Sequence, residues 1–243
     1  MRAPRLLYFL FISIVSVLLL PFPARAFLDF ESLLQDIENV EQSQKSGGLG
    51  ELLKELEQVT EGAVVVFTDV PADAWFKTYV DWASGQGIIG GYKNPDGTSK
   101  GLYGPGDRLT VGQWMKIAEL TAGIDPTTCT GPAKAAVGHW AESFYACAAD
   151  RNFTLASLNP EAAITRGQAL RLIFEAFGVN LPVHTSSRFS DVPASHPEIS
   201  PIEHAADLGI VSGDAGKDTF RPDDGLNRAE AAKLSKESSD KLG

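Results

Sequence analysis

The 243-residue chain is short of basic residues, cysteine and histidine, and each shortage removes a class of function. Lys and Arg number 21 against 31 Asp and Glu, a formal net charge of −10. Proteins that bind a phosphate backbone broadly carry the opposite excess, so nucleic acid is not an expected partner. There are two cysteines and four histidines, with no Cys-x-x-Cys and no zinc-binding spacing. No Gly-x-Ser-x-Gly nucleophile turn occurs either. Neither a metal, a cofactor nor a catalytic residue is expected. After residue 20 no apolar run is long enough to span a bilayer, which takes about 20 residues.

What is present begins with a leader. Met1–Arg5 carries two arginines, and Leu6–Leu20 is a run of 15 residues without a charge. Pro21–Ala26 follows and ends in Ala24-x-Ala26, the small-x-small pattern of a cleavage site. This three-part form reads as a signal peptide over 1–26 and places the protein outside the cytoplasm. No cysteine lies beside Ala26 to carry a lipid. Residues 1–26 hold three arginines and no acid, so cleavage leaves 18 basic against 31 acidic residues, a charge of −13.

In an oxidising compartment two cysteines form an even pair, and Cys129–Cys147 reads as a structural disulfide. Residues 27–62 read as a helical linker. Leu33, Leu34, Ile37 and Val40, then Leu52, Leu53, Leu56 and Val59, recur at helical spacing around the break Ser46–Gly50. Two such short stripes fall below the length of a coiled coil.

Internal similarity is the strongest signal. Residues 67–91 align with 189–213 without a gap. Phe67, Asp69, Val70, Pro71, Ala72, Ala83, Gly87, Ile88 and Gly91 are identical to their counterparts 122 positions later. A shorter pattern occurs three times: Tyr103-x-Pro105 before Leu109-Thr110-Val111-Gly112-Gln113, Leu158-x-Pro160 before Ile164-Thr165-Arg166-Gly167-Gln168, and Phe220-x-Pro222 before Leu226-Asn227-Arg228-Ala229-Glu230. His139-Trp140-x-x-x-Phe144 also matches Ala74-Trp75-x-x-x-Tyr79. The boundaries that follow are repeat 1 at 63–125, repeat 2 at 126–183 with a degenerate start, and repeat 3 at 184–243.

Each repeat reads as helix-loop-helix, an all-α architecture. An Asp-Val-Pro turn precedes a first helix with Trp75, Tyr79 and Trp82 in the first repeat, and Gly87 or Gly209 ends that helix. The second helix opens with a capping box: Thr110, Thr165 or Asn227 is the N-cap, with Gln113, Gln168 or Glu230 three residues on. Leu170, Ile173, Phe174 and Phe177 then follow at core spacing.

These motifs resemble the S-layer homology domain family, in three tandem copies. Phe189-Ser-Asp-Val192, Gly209-Ile-Val-Ser-Gly213, Phe220-Arg-Pro222 and Asn227-Arg-Ala-Glu230 carry the resemblance, as do Phe67-Thr-Asp-Val70 and Gly87-Ile-Ile-Gly-Gly91. Ile164-Thr-Arg166 carries it in the middle copy. The resemblance implies three repeats packed as a pseudo-threefold prism around a helical centre. It implies grooves between repeats that bind a cell-wall polymer, often one bearing a carboxylated, pyruvylated sugar. It implies Arg166 and Arg228 as ligand contacts, beside the caps Thr165 and Asn227. An arginine after an N-cap suits an anion, because exposed N–H groups and the helix dipole add to its planar fork. Val111 stands where the first repeat should have arginine, and Pro197 where the third should have tryptophan.

Trp75 and Trp140 are candidates for stacking on a sugar, although tryptophan in a small helical unit more commonly belongs to the core, which is the preferred reading. Asp69 and Asp191 read as turn or capping residues, and Asn94–Gly97 and Asp214–Asp218 as turns rather than calcium loops. The function expected is a non-catalytic, exported anchor at the cell surface. The rival is a structural surface-layer subunit or adaptor that self-associates or binds a partner through its N-terminal helix. The acidic charge also admits a positively charged ligand, such as an amine-modified peptidoglycan.

Overall fold

The structure, a computed structural model, describes residues 66–243; the expected signal peptide over 1–26 and the expected helical linker over 27–62 lie outside the described residues. Among the described residues there are six α-helices: α1 Lys77–Gly85, α2 Val111–Thr121, α3 Glu142–Asp150, α4 Arg166–Ala176, α5 Ile199–Asp207 and α6 Arg228–Leu242. A 3₁₀ turn at Pro126–Thr128 precedes α3. The only extended pairing among the described residues is four isolated bridges, so this part of the chain is all-α. No described helix is long and apolar enough to cross a membrane. Val66–Ala83 and Ile88–Gly243 belong to one compact unit, and the contacts below are within it.

Helices α2, α4 and α6 begin as the sequence predicts. Thr110, Thr165 and Asn227 have extended backbones, and each side chain accepts a hydrogen bond from the N3 amide. Gln113, Gln168 and Glu230 return a bond to the cap amide, which completes three capping boxes. Each helix then buries a stripe: Val111, Trp114, Met115 and Ala118 on α2, Ala169, Leu170, Ile173 and Phe174 on α4, and Ala231, Ala232 and Leu234 on α6. Phe177, expected in the same stripe, is only partly buried because it is the C-cap of α4. Helix α2 packs on α3, α4 and α6, and α4 packs on α5. Trp114 ties α2 to α4, since its indole N–H donates to the Ala169 carbonyl at 3.0 Å.

The residues just before the three caps form a closed ring of backbone bonds. Leu109 N donates to Leu226 O, Leu226 N to Ile164 O, and Ile164 N to Leu109 O, at 2.9, 3.1 and 3.1 Å. All three side chains are buried. The three capped helices therefore start from a common hub, although 117 residues separate the first cap from the last.

Asp69 and Asp191 do something longer in range than the expected local turn. Asp69 accepts from the Tyr103 and Gly104 amides at 2.8 and 2.7 Å, and Asp191 accepts from the Phe220 and Arg221 amides at 2.8 and 2.7 Å. Each carboxylate staples the Asp-Val-Pro segment to the aromatic-x-Pro loop, 34 and 35 residues ahead for Asp69 and 29 and 30 for Asp191. Burial opposes ionisation of Asp69, but the backbone donors and the Arg228 charge outweigh it and hold its pKa below the ordinary value. Phe67 and Phe189 lie beside Tyr103 and Phe220, with ring centroids 5.4 and 5.5 Å apart. A Cβ on Gly91 or Gly213 would lie 2.5 or 2.6 Å from the phenylalanine ring, which explains both glycines. The middle segment has no Asp-Val-Pro; there the Cys129–Cys147 disulfide ties the chain after the 3₁₀ turn to α3.

Candidate ligand groove

The capping boxes set where the candidate arginines stand. Arg166 and Arg228 occupy the first position of α4 and α6, as Val111 does on α2. The expectation that helix amides here are open to an anion is corrected by the structure. Arg166 N donates to Asp224 O and Gly167 N to Pro222 O, both at 2.9 Å. Arg228 N donates to Asp107 O and Ala229 N to Pro105 O, at 2.9 and 3.0 Å. The start of α2 repeats this, with Val111 N donating to Ala162 O and Gly112 N to Pro160 O. Loop carbonyls from the next segment, together with the cap side chain, take the first three amides. What remains for a ligand is side-chain charge.

Both guanidinium groups are held in matching ways. Arg166 Nε donates to Phe220 O at 3.0 Å, and its carbon lies 4.8 Å from the Phe220 ring centre. Arg228 Nε donates to Tyr103 O at 2.7 Å, with the Tyr103 ring at 4.5 Å and Tyr92 at 5.3 Å. Their remaining partners differ. Arg166 Nη1 donates to Glu230 Oε1 at 2.6 Å, whereas Arg228 Nη2 donates to the Gly90 carbonyl at 2.7 Å. The first arginine is charge-paired and the second faces neutral acceptors. Burial pushes the Arg166 pKa down and Glu230 opposes that shift. The side chain of Arg166 is 13% exposed.

At the third position Val111 is fully buried. The carbonyl that a guanidinium would meet, Leu158 O, accepts instead from the Tyr145 hydroxyl at 3.0 Å. A tyrosine on α3 therefore satisfies the acceptor, and that location is apolar.

A cavity of about 320 Å³ opens beside Arg166. Trp75, Asp214, Phe220, Arg221, Glu230 and Lys233 line it with the segment Ile210–Gly213 that follows α5. Three cationic and two anionic side chains face it, a local excess of one positive charge in an acidic chain. Arg221 bonds Asp214 at 3.0 Å and Asp224 at 3.1 Å, and reaches within 3.7 Å of Glu230. Its φ is 61°, whereas its counterpart in the first segment, Gly104, has φ 72°. A side chain there costs on the order of 1 kcal/mol over glycine. Such strain concentrates where a side chain has a use.

The preference for Trp75 and Trp140 as core residues is overturned: they are 59% and 53% exposed. Both precede their helices, α1 at Lys77 and α3 at Glu142, so the buried helical stripe does not include them. Trp75 packs edge-on against Phe76 and joins Arg166 in the cavity wall. Trp140 lies beside His139 and is not part of that wall. Thr165 and Asn227 are engaged in caps, so their side chains position the arginines. Sequence reasoning missed Arg221 and Lys233. Only the arginine in a glycine position of the aligned loops marked the first, and nothing marked the second.

Residues 66–110 and 188–232 match the S-layer homology domain family. The S-layer homology matches cover the two segments that carry the Asp69 and Asp191 staples, and the first stops one residue before Val111. The chain is also 27% identical over 115 residues to the Middle cell wall protein of Brevibacillus brevis (strain 47 / JCM 6285 / NBRC 100599). That similarity covers 47% of this chain and 10% of the relative.

Proposed function

We propose that the protein is a non-catalytic anchoring module of the cell envelope, exported and retained at the cell surface by a wall polymer. Its three repeats, at 63–125, 126–183 and 184–243, form a pseudo-threefold prism around α2, α4 and α6. The closed backbone ring through Leu109, Ile164 and Leu226 supports that arrangement. The observation that carries the functional reading is the cavity that unites Trp75 with Arg166, Arg221 and Lys233. An exposed indole suits the apolar face of a sugar ring, and the guanidinium fork suits a carboxylate. A carboxylated sugar, such as a pyruvylated one, satisfies both. The two S-layer homology matches and the cell-wall relative support the same assignment.

Two grooves are ligand-competent in this reading, one at Arg166 and one at Arg228, and the Val111 position is not. The net charge of −13 after signal removal opposes an acidic polymer at long range, so binding depends on short-range contacts. The mature protein is incubated with purified cell walls before and after chemical removal of the non-peptidoglycan polymer. Retention that disappears with the polymer supports the assignment. Equal retention on both walls overturns it and points to peptidoglycan itself.

A further inference from the structure

A side-chain cluster on α5 stands apart from the groove and has no part in its chemistry. His204 and Asp207 are three residues apart in the last turn of α5, so they share a helix face. His184 reaches them from the loop that follows α4, where its own amide donates to Ser200 Oγ at 3.1 Å. One ligand atom from each of the three lies within 4.8 Å of the other two. His184 Nε2 is 3.8 Å from Asp207 Oδ2, too far for a hydrogen bond. That nitrogen is buried and has no hydrogen-bond partner among the described residues. A buried polar atom without a partner is costly, and a shared cation would satisfy it.

The surroundings orient the three groups. The His204 ring packs 5.2 Å from Phe174 on α4. Arg188 bonds Asp207 through the other carboxylate oxygen and holds Glu203 at 2.8 Å, leaving Oδ2 of Asp207 directed at His184. Glu203 and Asp207 against Arg188 leave one net negative charge beside two imidazoles. In a tetrahedral site with bonds of about 2.0 to 2.2 Å, neighbouring ligand atoms stand roughly 3.3 Å apart. The three ligand atoms lie within 4.8 Å of one another, so binding requires side-chain rotations that close this by up to about 1.5 Å.

We propose that His184, His204 and Asp207 form a site for a divalent transition metal of the zinc class, with water as the fourth ligand. Two imidazoles and one carboxylate match the preference of Zn²⁺ and Co²⁺ over the all-oxygen preference of Ca²⁺ and Mg²⁺. The metal fastens the loop between α4 and Phe189 to α5, and so fixes the start of the third segment.

The test uses the untagged mature protein, titrated with Zn²⁺ by calorimetry and with Co²⁺ by visible absorption. The expected result is one ion per chain, a four-coordinate Co²⁺ band displaced by Zn²⁺, and a raised Tm. His184→Ala and Asp207→Asn each weaken binding by at least about tenfold, the lower end of what changes to groups behind the ligands already cost. His139→Ala combined with His196→Ala, which removes the remaining histidines, leaves it unchanged. Circular dichroism of each variant checks that the helices persist; His184 is on a loop and its removal spares them. Absence of saturable binding to the folded wild type, or affinity unaltered in both ligand variants, overturns the proposal.

Discussion

Arg166 and Glu230 join the first turns of α4 and α6 through a 2.6 Å charge-assisted hydrogen bond at the wall of the cavity. Glu230 also closes the capping box of α6 with its other oxygen. One side chain thus serves a structural bond and competes with any anionic ligand for the same guanidinium. Glu230→Gln separates the two roles, because glutamine closes the equivalent boxes at Gln113 and Gln168. The expected outcome is an unchanged Tm within a few degrees and a severalfold tighter Kd for a carboxylated wall polymer, measured by calorimetry. A weaker Kd would mean that Glu230 contacts the ligand directly.

The tryptophans divide into two energetic classes. Trp114 is fully buried and bonded to Ala169, so Trp114→Ala should lower unfolding free energy by about 4 kcal/mol. Trp75→Ala should change it by no more than about 0.5 kcal/mol, as an exposed residue does. The same variant should still weaken polymer binding. Urea unfolding and a binding titration on each variant check both halves.

The disulfide serves stability rather than recognition. Cys129 and Cys147 are 18 residues apart, and neither lines the cavity. Replacing both by serine should cost about 3 kcal/mol on the chain-entropy model. Polymer affinity at a temperature where both forms are folded should stay the same. Denaturant unfolding beside a binding titration measures the pair of effects.

Glu119 gives a dependence on pH. It lies fully buried on α2, and neither carboxyl oxygen has a hydrogen-bond partner among the described residues. Burial pushes its pKa up to about 8, against a smaller opposing effect of the Arg151 charge. The folded state therefore binds a proton that the unfolded state releases near pH 4.5. The stability associated with this group is complete below pH 4.5 and is lost as pH rises towards 8, at no more than about 1.4 kcal/mol per pH unit. Glu119→Gln should remove that decline, so its advantage over wild type grows between pH 5 and 8 and then levels off. Parallel unfolding curves at several pH values test the sign.

What was legible in the sequence was what is encoded locally. Thr110, Thr165 and Asn227 announce caps because the cap and its partner are three residues apart in one chain segment. Gly87 and Gly209 end helices with φ of 67° and 72°, as C-terminal glycines do. The paired cysteines needed only parity and compartment. The exposure of Trp75 and Trp140 was not legible, because a residue just before a helix does not follow that helix's periodicity. The occupied amides at Arg166 and Arg228 were not legible either. They depend on which loop carbonyls the hub brings to each helix start, a matter of pairing across more than 50 residues. His184, His204 and Asp207 match no motif spacing, since a loop and a helix end meet only in the folded unit.

The central claim is that the guanidinium groups of Arg166 and Arg228 retain the protein on a wall polymer. Its most direct test is cosedimentation of the mature protein with polymer-bearing cell walls, comparing wild type with Arg166→Ala, Arg228→Ala and the double variant, each shown to be folded. The account predicts partial loss of the pelleted fraction in each single variant and near-complete loss in the double. A double variant that pellets as well as wild type would contradict it.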